Sequence, residues 1–142
     1  MEGKNTVNEK ITKLTSKLNL KPGAPKELLK KIELELGISL PLQYVEFMRR
    51  SNGAEGDVGN SYLTLWPVEE IIPLNKAYAV EEFAPGLLLI GSDGGDIAYA
   101  FDTRLKSMPI VKVPFIGMDL REVKLCGATL IEFLENLYDQ TE

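Results

Sequence analysis

The 142 residues are 44% hydrophobic and 26% charged with a net charge of −5, the balance of an ordinary folded domain rather than of a disordered or membrane-embedded chain. Histidine is absent and Cys126 is the only cysteine. Ser-His-Asp and Cys-His catalysis, histidine-based zinc hydrolysis, thiolate metal clusters and a disulfide framework are therefore excluded together, leaving only carboxylate, lysine or tyrosine chemistry to an enzyme.

At the N-terminus Val7, Ile11, Leu14 and Leu18 recur at helical spacing with lysines on the other side, which predicts an amphipathic helix ending before KPGAP at 21–25. Pro25 suits the first turn of a second helix whose apolar face is Leu29, Ile32 and Leu36, with Gly37 as its left-handed stop. Pro41 opens a third helix in the same way, with Leu40, Tyr44, Phe47 and Met48 on its apolar face. Asn52-Gly53 ends it, since both residues tolerate positive φ.

GAEGDVGNS at 53–61 reads as a flexible acidic loop. Beyond it the period changes to two: SYLTLW at 61–66 is a strand with Leu63 and Leu65 on one face and Tyr62, Thr64 and Trp66 on the other. Pro67 starts a short helical stretch with Glu69 and Glu70 at its positive end, and 73–85 reads as a loop or a short helix. LLLI at 87–90 and DIAYAF at 96–101 flank GSDGG as a β-hairpin, IVKV at 110–113 is a further strand, and 114–125 is an edge strand or a loop. Thr129 caps a last helix with the stripe Ile131, Leu134 and Leu137/Tyr138. Helices, then hairpin-connected strands, then a closing helix describe an α+β domain with a mainly antiparallel sheet and helices packed against it, one domain over 1–142.

Candidate chemistry is sparse. GSDGGD lacks the Lys-Ser/Thr ending of a P-loop, and Asp93 and Asp96 would repel phosphate. The same aspartates with Asp102 could ligate calcium, but the alternating acidic pattern and terminal glutamate of a calcium loop are missing. A turn in which Ser92 and Asp93 bond nearby backbone amides is the simpler reading. Glu69/Glu70 and Glu81/Glu82 are adjacent pairs, whereas glycosidase-type carboxylates face each other across a cleft. Trp66, with Tyr62 on the same strand face, either covers the sheet or contributes an aromatic contact to a partner.

Charge is uneven along the chain: residues 1–50 sum to +4, residues 51–100 to −7 and residues 101–142 to −2. An acidic surface drawn from the middle segment would suit a basic protein and repel nucleic acid. The expected contact surface is Glu55, Asp57, Tyr62, Trp66, Glu69, Glu70, Asp93 and Asp96. The alternative is a small hydrolase or a ligand- or calcium-binding domain using Asp93, Asp96 and neighbouring carboxylates. No cofactor and no metal is expected. No apolar run approaches the roughly 20 residues of a membrane-spanning helix, and MEGKNTVNEK lacks a signal-peptide core, so a cytoplasmic protein without a membrane role is expected.

Several of these places occur in a specific order. LG-x-x-LP-x-x-Y-x-x-F stands at Leu36, Gly37, Leu40, Pro41, Tyr44 and Phe47, followed by Asn52-Gly53, then Glu69-Glu70-Ile71 and Asn75. The IG-x-DGG turn at Ile90, Gly91, Asp93, Gly94 and Gly95 follows, then Tyr99, Phe101-Asp102, Pro109-Ile110-Val111 and the helix from Ala128 to Leu134. In this order the chain resembles the SUKH superfamily, the family of the yeast Smi/Knr cell-wall regulator and of bacterial immunity proteins, with the first 25 residues largely outside the resemblance. The resemblance implies an α+β fold without catalysis and a protein partner, typically a polymorphic toxin delivered by a competing bacterium. Many such toxins are basic nucleases.

Overall fold

The computed structural model describes residues 2–140, and the side chains of residues 6–140. In chain order the elements are α1 (Glu2–Leu14), β1 (Leu18–Leu20), α2 (Lys26–Leu36), α3 (Leu42–Arg50), β2 (Ala54–Val58), β3 (Ser61–Leu65), α4 (Val68–Ala77), α5 (Val80–Phe83), β4 (Leu87–Ser92), β5 (Ile97–Asp102), β6 (Ile110–Pro114), a 3₁₀ turn at Leu120–Glu122, β7 (Lys124–Gly127) and α6 (Leu130–Asp139). The seven strands form one sheet in sequence order, every neighbouring pair antiparallel. This is the α+β architecture expected from the order of periodicities.

Alternation along the strands divides the interior into two cores. Leu63 and Leu65 of β3, Leu88 and Ile90 of β4, and Tyr99 and Phe101 of β5 point to the face covered by helices, where they meet Tyr44 and Phe47 of α3 and Phe133, Leu134 and Leu137 of α6. Leu87, Leu89, Ala98, Ala100, Val111 and Val113 point the other way, into a smaller core closed by Val80 and Ala84 around α5 and by Met118 and Leu120. Strands β4 to β6 are thus buried on both faces, which is why β4 reads as a nearly unbroken apolar run.

Several helix boundaries follow the sequence closely. Pro25, Pro41 and Pro67 each stand just before the helix, with ψ of 147°, 140° and 146°, so their missing N–H groups fall where none is needed. Gly37 takes φ +72° and ends α2, and the Thr129 hydroxyl accepts from Glu132 N at 3.2 Å to cap α6.

Elsewhere the structure corrects the sequence reading. Leu18 leaves the first helix to begin β1, the edge strand beside β2, because α1 has already ended at Leu14. The 53–61 segment is no loop: it contains β2, and Gly59-Asn60 forms the tight turn into β3. Its inward residues are Ala54 and Val58 with Gly56 between them, and a Cβ at Gly56 would lie 2.9 Å from the Lys17 carbonyl oxygen. That close approach of β1 accounts for glycine inside a strand.

Only Gly53 of Asn52-Gly53 has positive φ, at +88°. Asn52 acts through its side chain instead: Oδ1 accepts from Val68 N at 2.8 Å and Nδ2 donates to Glu69 Oε1 at 2.7 Å, capping α4 from a distance. α4 also runs past Pro73 to Ala77, and α5 follows almost at once. On α6 the buried stripe is Leu130, Phe133, Leu134 and Leu137; Tyr138 is exposed.

Candidate functional site

Strand β3 stops pairing with β4 after Leu65↔Gly91, with one further bond from Trp66 N to the Ile90 carbonyl. Beyond that point Leu89 needs another partner for its backbone, and Asn75 of α4 supplies it. Leu89 N donates to Asn75 Oδ1 at 2.9 Å, and Asn75 Nδ2 donates to the Leu89 carbonyl at 3.0 Å. The amide imitates a strand neighbour and fixes α4 against the sheet edge that β3 leaves. Tyr78, immediately after α4, is thereby brought beside Trp66, their rings nearly parallel at 12° with centroids 6.3 Å apart. Tyr78 also meets Phe115, centroids 4.7 Å apart.

These aromatic rings form one wall of an open groove of about 690 Å³ on the sheet face away from the large helices. Glu55, Tyr62 and Thr64 on the outward face of the β2–β3 hairpin supply its floor. Asp96 and the glycines of the β4–β5 turn form one rim, and Ile116, 90% exposed, forms another.

The glycine-rich turn is built by its own side chains. Asp93 Oδ1 accepts from Gly95 N at 2.8 Å and from Ile97 N at 3.2 Å, and Ser92 Oγ accepts from Gly94 N at 3.1 Å. Gly94 has φ +84°, and a Cβ there would come within 2.8 Å of the Tyr62 ring. The ring therefore lies across the turn, and from that position the Tyr62 hydroxyl donates to Glu55 Oε2 at 2.6 Å. This hydrogen bond, with desolvation and the Glu55 and Asp57 charges adding, raises the Tyr62 pKa above its ordinary value. The turn, the tyrosine and the carboxylate are one mechanical unit.

Of the eight contact residues expected from sequence, Glu55, Tyr62, Trp66 and Asp96 line this groove. Asp57 is exposed and stands opposite Tyr62 in the hairpin register, beside the groove. Asp93 lies in the adjacent turn with Oδ1 committed to backbone amides. Glu69 and Glu70, in the first turn of α4, are not among the lining residues, and Glu69 accepts from Asn52. Trp66 is 9% exposed, a member of the smaller core that reaches the groove at its edge. Tyr78, Phe115 and Ile116 escaped the sequence reading because they come from connecting segments without periodicity. Their only signal was the presence of large apolar residues in stretches that did not read as core.

The acidic middle segment is divided rather than gathered. Glu81 and Glu82 line a separate groove with Lys76 and Glu35, between α2, α4 and α5. Among the described residues no three His, Cys, Asp or Glu side chains are grouped so as to hold a metal ion. Asp102, which the calcium reading would recruit, instead makes a two-point contact with Arg104, Nε to Oδ1 and Nη2 to Oδ2 both at 2.9 Å. The guanidinium holds the Asp102 carboxyl below its usual pKa against the opposing effect of burial. No helix among the described residues is long and apolar enough to cross a membrane.

Fold and groove together define a class: an α+β domain whose antiparallel sheet packs its main core against helices on one face and is partly bare on the other. Within that class the chain belongs to the SMI1 / KNR4 family (SUKH-1), whose model matches residues 23–136. The match begins after α1 and β1, so the edge strand and the helix carrying buried Ile11 lie outside it. No curated protein matches the chain.

Proposed function

We propose that this protein is a non-catalytic binding module of the immunity type, which neutralises a polymorphic toxin, in the favoured case a basic nuclease, by direct contact through the groove. The observation that carries the reading is the composition of that groove. Exposed carboxylates of Glu55 and Asp96 stand beside Tyr62, Trp66 and Tyr78, and none of Glu55, Asp57 or Asp96 pairs with a cation among the described residues. Unpaired acidic charge next to large rings is what an interface centre for a basic protein requires, because the rings supply buried area and the charges supply steering and register. Such an inhibitor acts by covering the toxin's own surface, so it needs no reactive group. Its working compartment is the cytoplasm, where a delivered toxin would act.

The test is co-expression with the toxin encoded beside the gene. The native protein is expected to rescue growth and to co-purify with the toxin. Replacing Glu55 and Asp96 together by lysine is expected to slow association about tenfold or more at low salt, with the fold unchanged by circular dichroism. The pair Glu69→Lys and Glu70→Lys, outside the groove lining, should slow it much less. Absence of both rescue and complex removes the reading.

A further inference from the structure

The groove differs from a generally acidic surface in one respect: the carboxylates of Glu55 and Asp96 share its lining with the aromatic side chains of Tyr62, Trp66, Tyr78 and Phe115. Tyr62 and Tyr78 are 40% and 41% exposed, and Tyr78 joins Trp66 to Phe115 in one aromatic cluster of which it is the exposed member beside nearly buried Trp66. Glu55 and Asp96 lie along the same groove. Tyr62 fixes Glu55 through one carboxylate oxygen, Oε2, and leaves Oε1 without a partner among the described residues. A planar cation that could lie flat on a ring while donating in its own plane to a carboxylate would use both features at once. Guanidinium does this. An ammonium ion is more strongly hydrated and presents no face to stack.

We propose that the groove reads arginine: a partner loop inserts an arginine whose guanidinium packs on the exposed Tyr78 ring of the aromatic cluster and donates to Glu55 or Asp96. The inference rests on the binding reading above and narrows its partner to a protein with a protruding arginine at the contact. Electrostatic attraction alone would accept lysine equally, so discrimination between the two cations is the property that separates this proposal from a merely acidic surface. Ile116 at the rim then covers the aliphatic stem of the bound side chain and keeps water from the charge pair.

Trp66 is the only tryptophan of the chain, so its fluorescence reports occupancy of the groove without a label. The full-length protein is titrated at low salt with three blocked hexapeptides of alternating glycine and one other residue: arginine, lysine, or citrulline, which keeps the shape of arginine without its charge. The arginine peptide is expected to change the emission saturably, to bind about fivefold or more tighter than the lysine peptide, and to lose nearly all binding when citrulline replaces arginine. Tyr78→Leu, which keeps an apolar side chain at an exposed position but removes the ring, should erase the preference for arginine. Equal binding of the lysine and arginine peptides, or an unchanged preference in Tyr78→Leu, overturns the proposal. So does the absence of a saturable response to any of the three peptides. The co-expression assay reports separately on the immunity reading, which survives if the native protein still rescues and the Glu55/Asp96 charge reversal still slows association.

Discussion

The two faces of the sheet are made from the same alternating strands, yet one carries the large helix-packed core and the other is covered only over about half of its width. On the helix face β2 to β5 all deliver apolar side chains to a single core with α3 and α6. On the other face the cover supplied by α5 and the segment around Met118 extends over β4 to β6, while β2 and β3 present Glu55, Asp57, Tyr62 and Thr64. The groove lies where the cover ends. Its depth is a consequence of the step between a covered and a bare half of one sheet, so no dedicated cavity had to be carved into the core. Substitutions on the helix face should therefore change stability and leave binding alone, whereas those at the step should change both or binding alone.

The largest effect is expected at the seam. Asn75→Ala would strand the Leu89 N–H and carbonyl, both otherwise satisfied by one side chain. A buried polar group left without a partner costs about 1 to 3 kcal/mol. With two such groups a loss of about 2 to 6 kcal/mol is expected in denaturant unfolding, together with weaker binding because Tyr78 loses its anchorage. A loss below about 1 kcal/mol would mean that α4 is held by other contacts and that the seam is not the joint between the halves.

Gly94→Ala tests the bare half. Positive φ and the close Tyr62 ring together predict a destabilisation of about 1 to 2 kcal/mol. The sharper readout is the Tyr62 phenol, which should titrate closer to its ordinary value once the ring shifts and the hydrogen bond to Glu55 is lost. Site-labelled tyrosine NMR would follow it. An unmoved titration would show that the turn does not hold the tyrosine in place.

How far the sequence foretold these two halves depends on what each is made of. LPLQYVEFMRRSNG announced α3 because proline, apolar spacing and glycine all act locally. The buried face of β2 was hidden, since its inward positions are Ala54, Gly56 and Val58, and at Gly56 the close packing of β1 leaves no room for a side chain. Asn75 was noticed only as part of a resemblance. Its role depends on Leu89, fourteen residues away and across an element boundary, and no local pattern encodes that. Glu55, Tyr62, Trp66 and Asp96 could be named from charge and aromaticity, but their meeting with Tyr78 and Phe115 is a product of tertiary folding. The glycine turn reads from sequence as a turn bonded by Ser92 and Asp93, and it is one, but through Gly94 and Tyr62 it also positions Glu55.

A smaller effect is expected at Asp102, at the end of β5 away from the groove. Its folded-state pKa is lowered, first by the hydrogen bonds from Arg104, so the contact stabilises the fold above the ordinary aspartate range near pH 4 and loses that contribution as pH falls through the depressed native value. Asp102→Asn should therefore be less stable than the native protein at neutral pH, with the gap closing as the pH is lowered below about 4. Because Arg104 is partly exposed, high salt should narrow the gap as well. Binding measured by Trp66 fluorescence should be unaffected.

The smallest effect, and the one of opposite sign, belongs to the centre of the helix face. Tyr44 is fully buried with its ring edge-on to Phe101, centroids 5.1 Å apart, and its hydroxyl has no hydrogen-bond partner among the described residues. Burial raises its pKa above the ordinary tyrosine value, and the hydroxyl contributes no hydrogen bond to the core. Removing it by Tyr44→Phe keeps the ring contact and relieves an unsatisfied polar atom. The expected result is stability unchanged or raised by about 1 kcal/mol, with arginine-peptide affinity unchanged. A clear destabilisation would mean that an ordered water or a shifted rotamer satisfies the hydroxyl, and a change in affinity would break the separation of the two faces, since Tyr44 lies across the sheet from the groove.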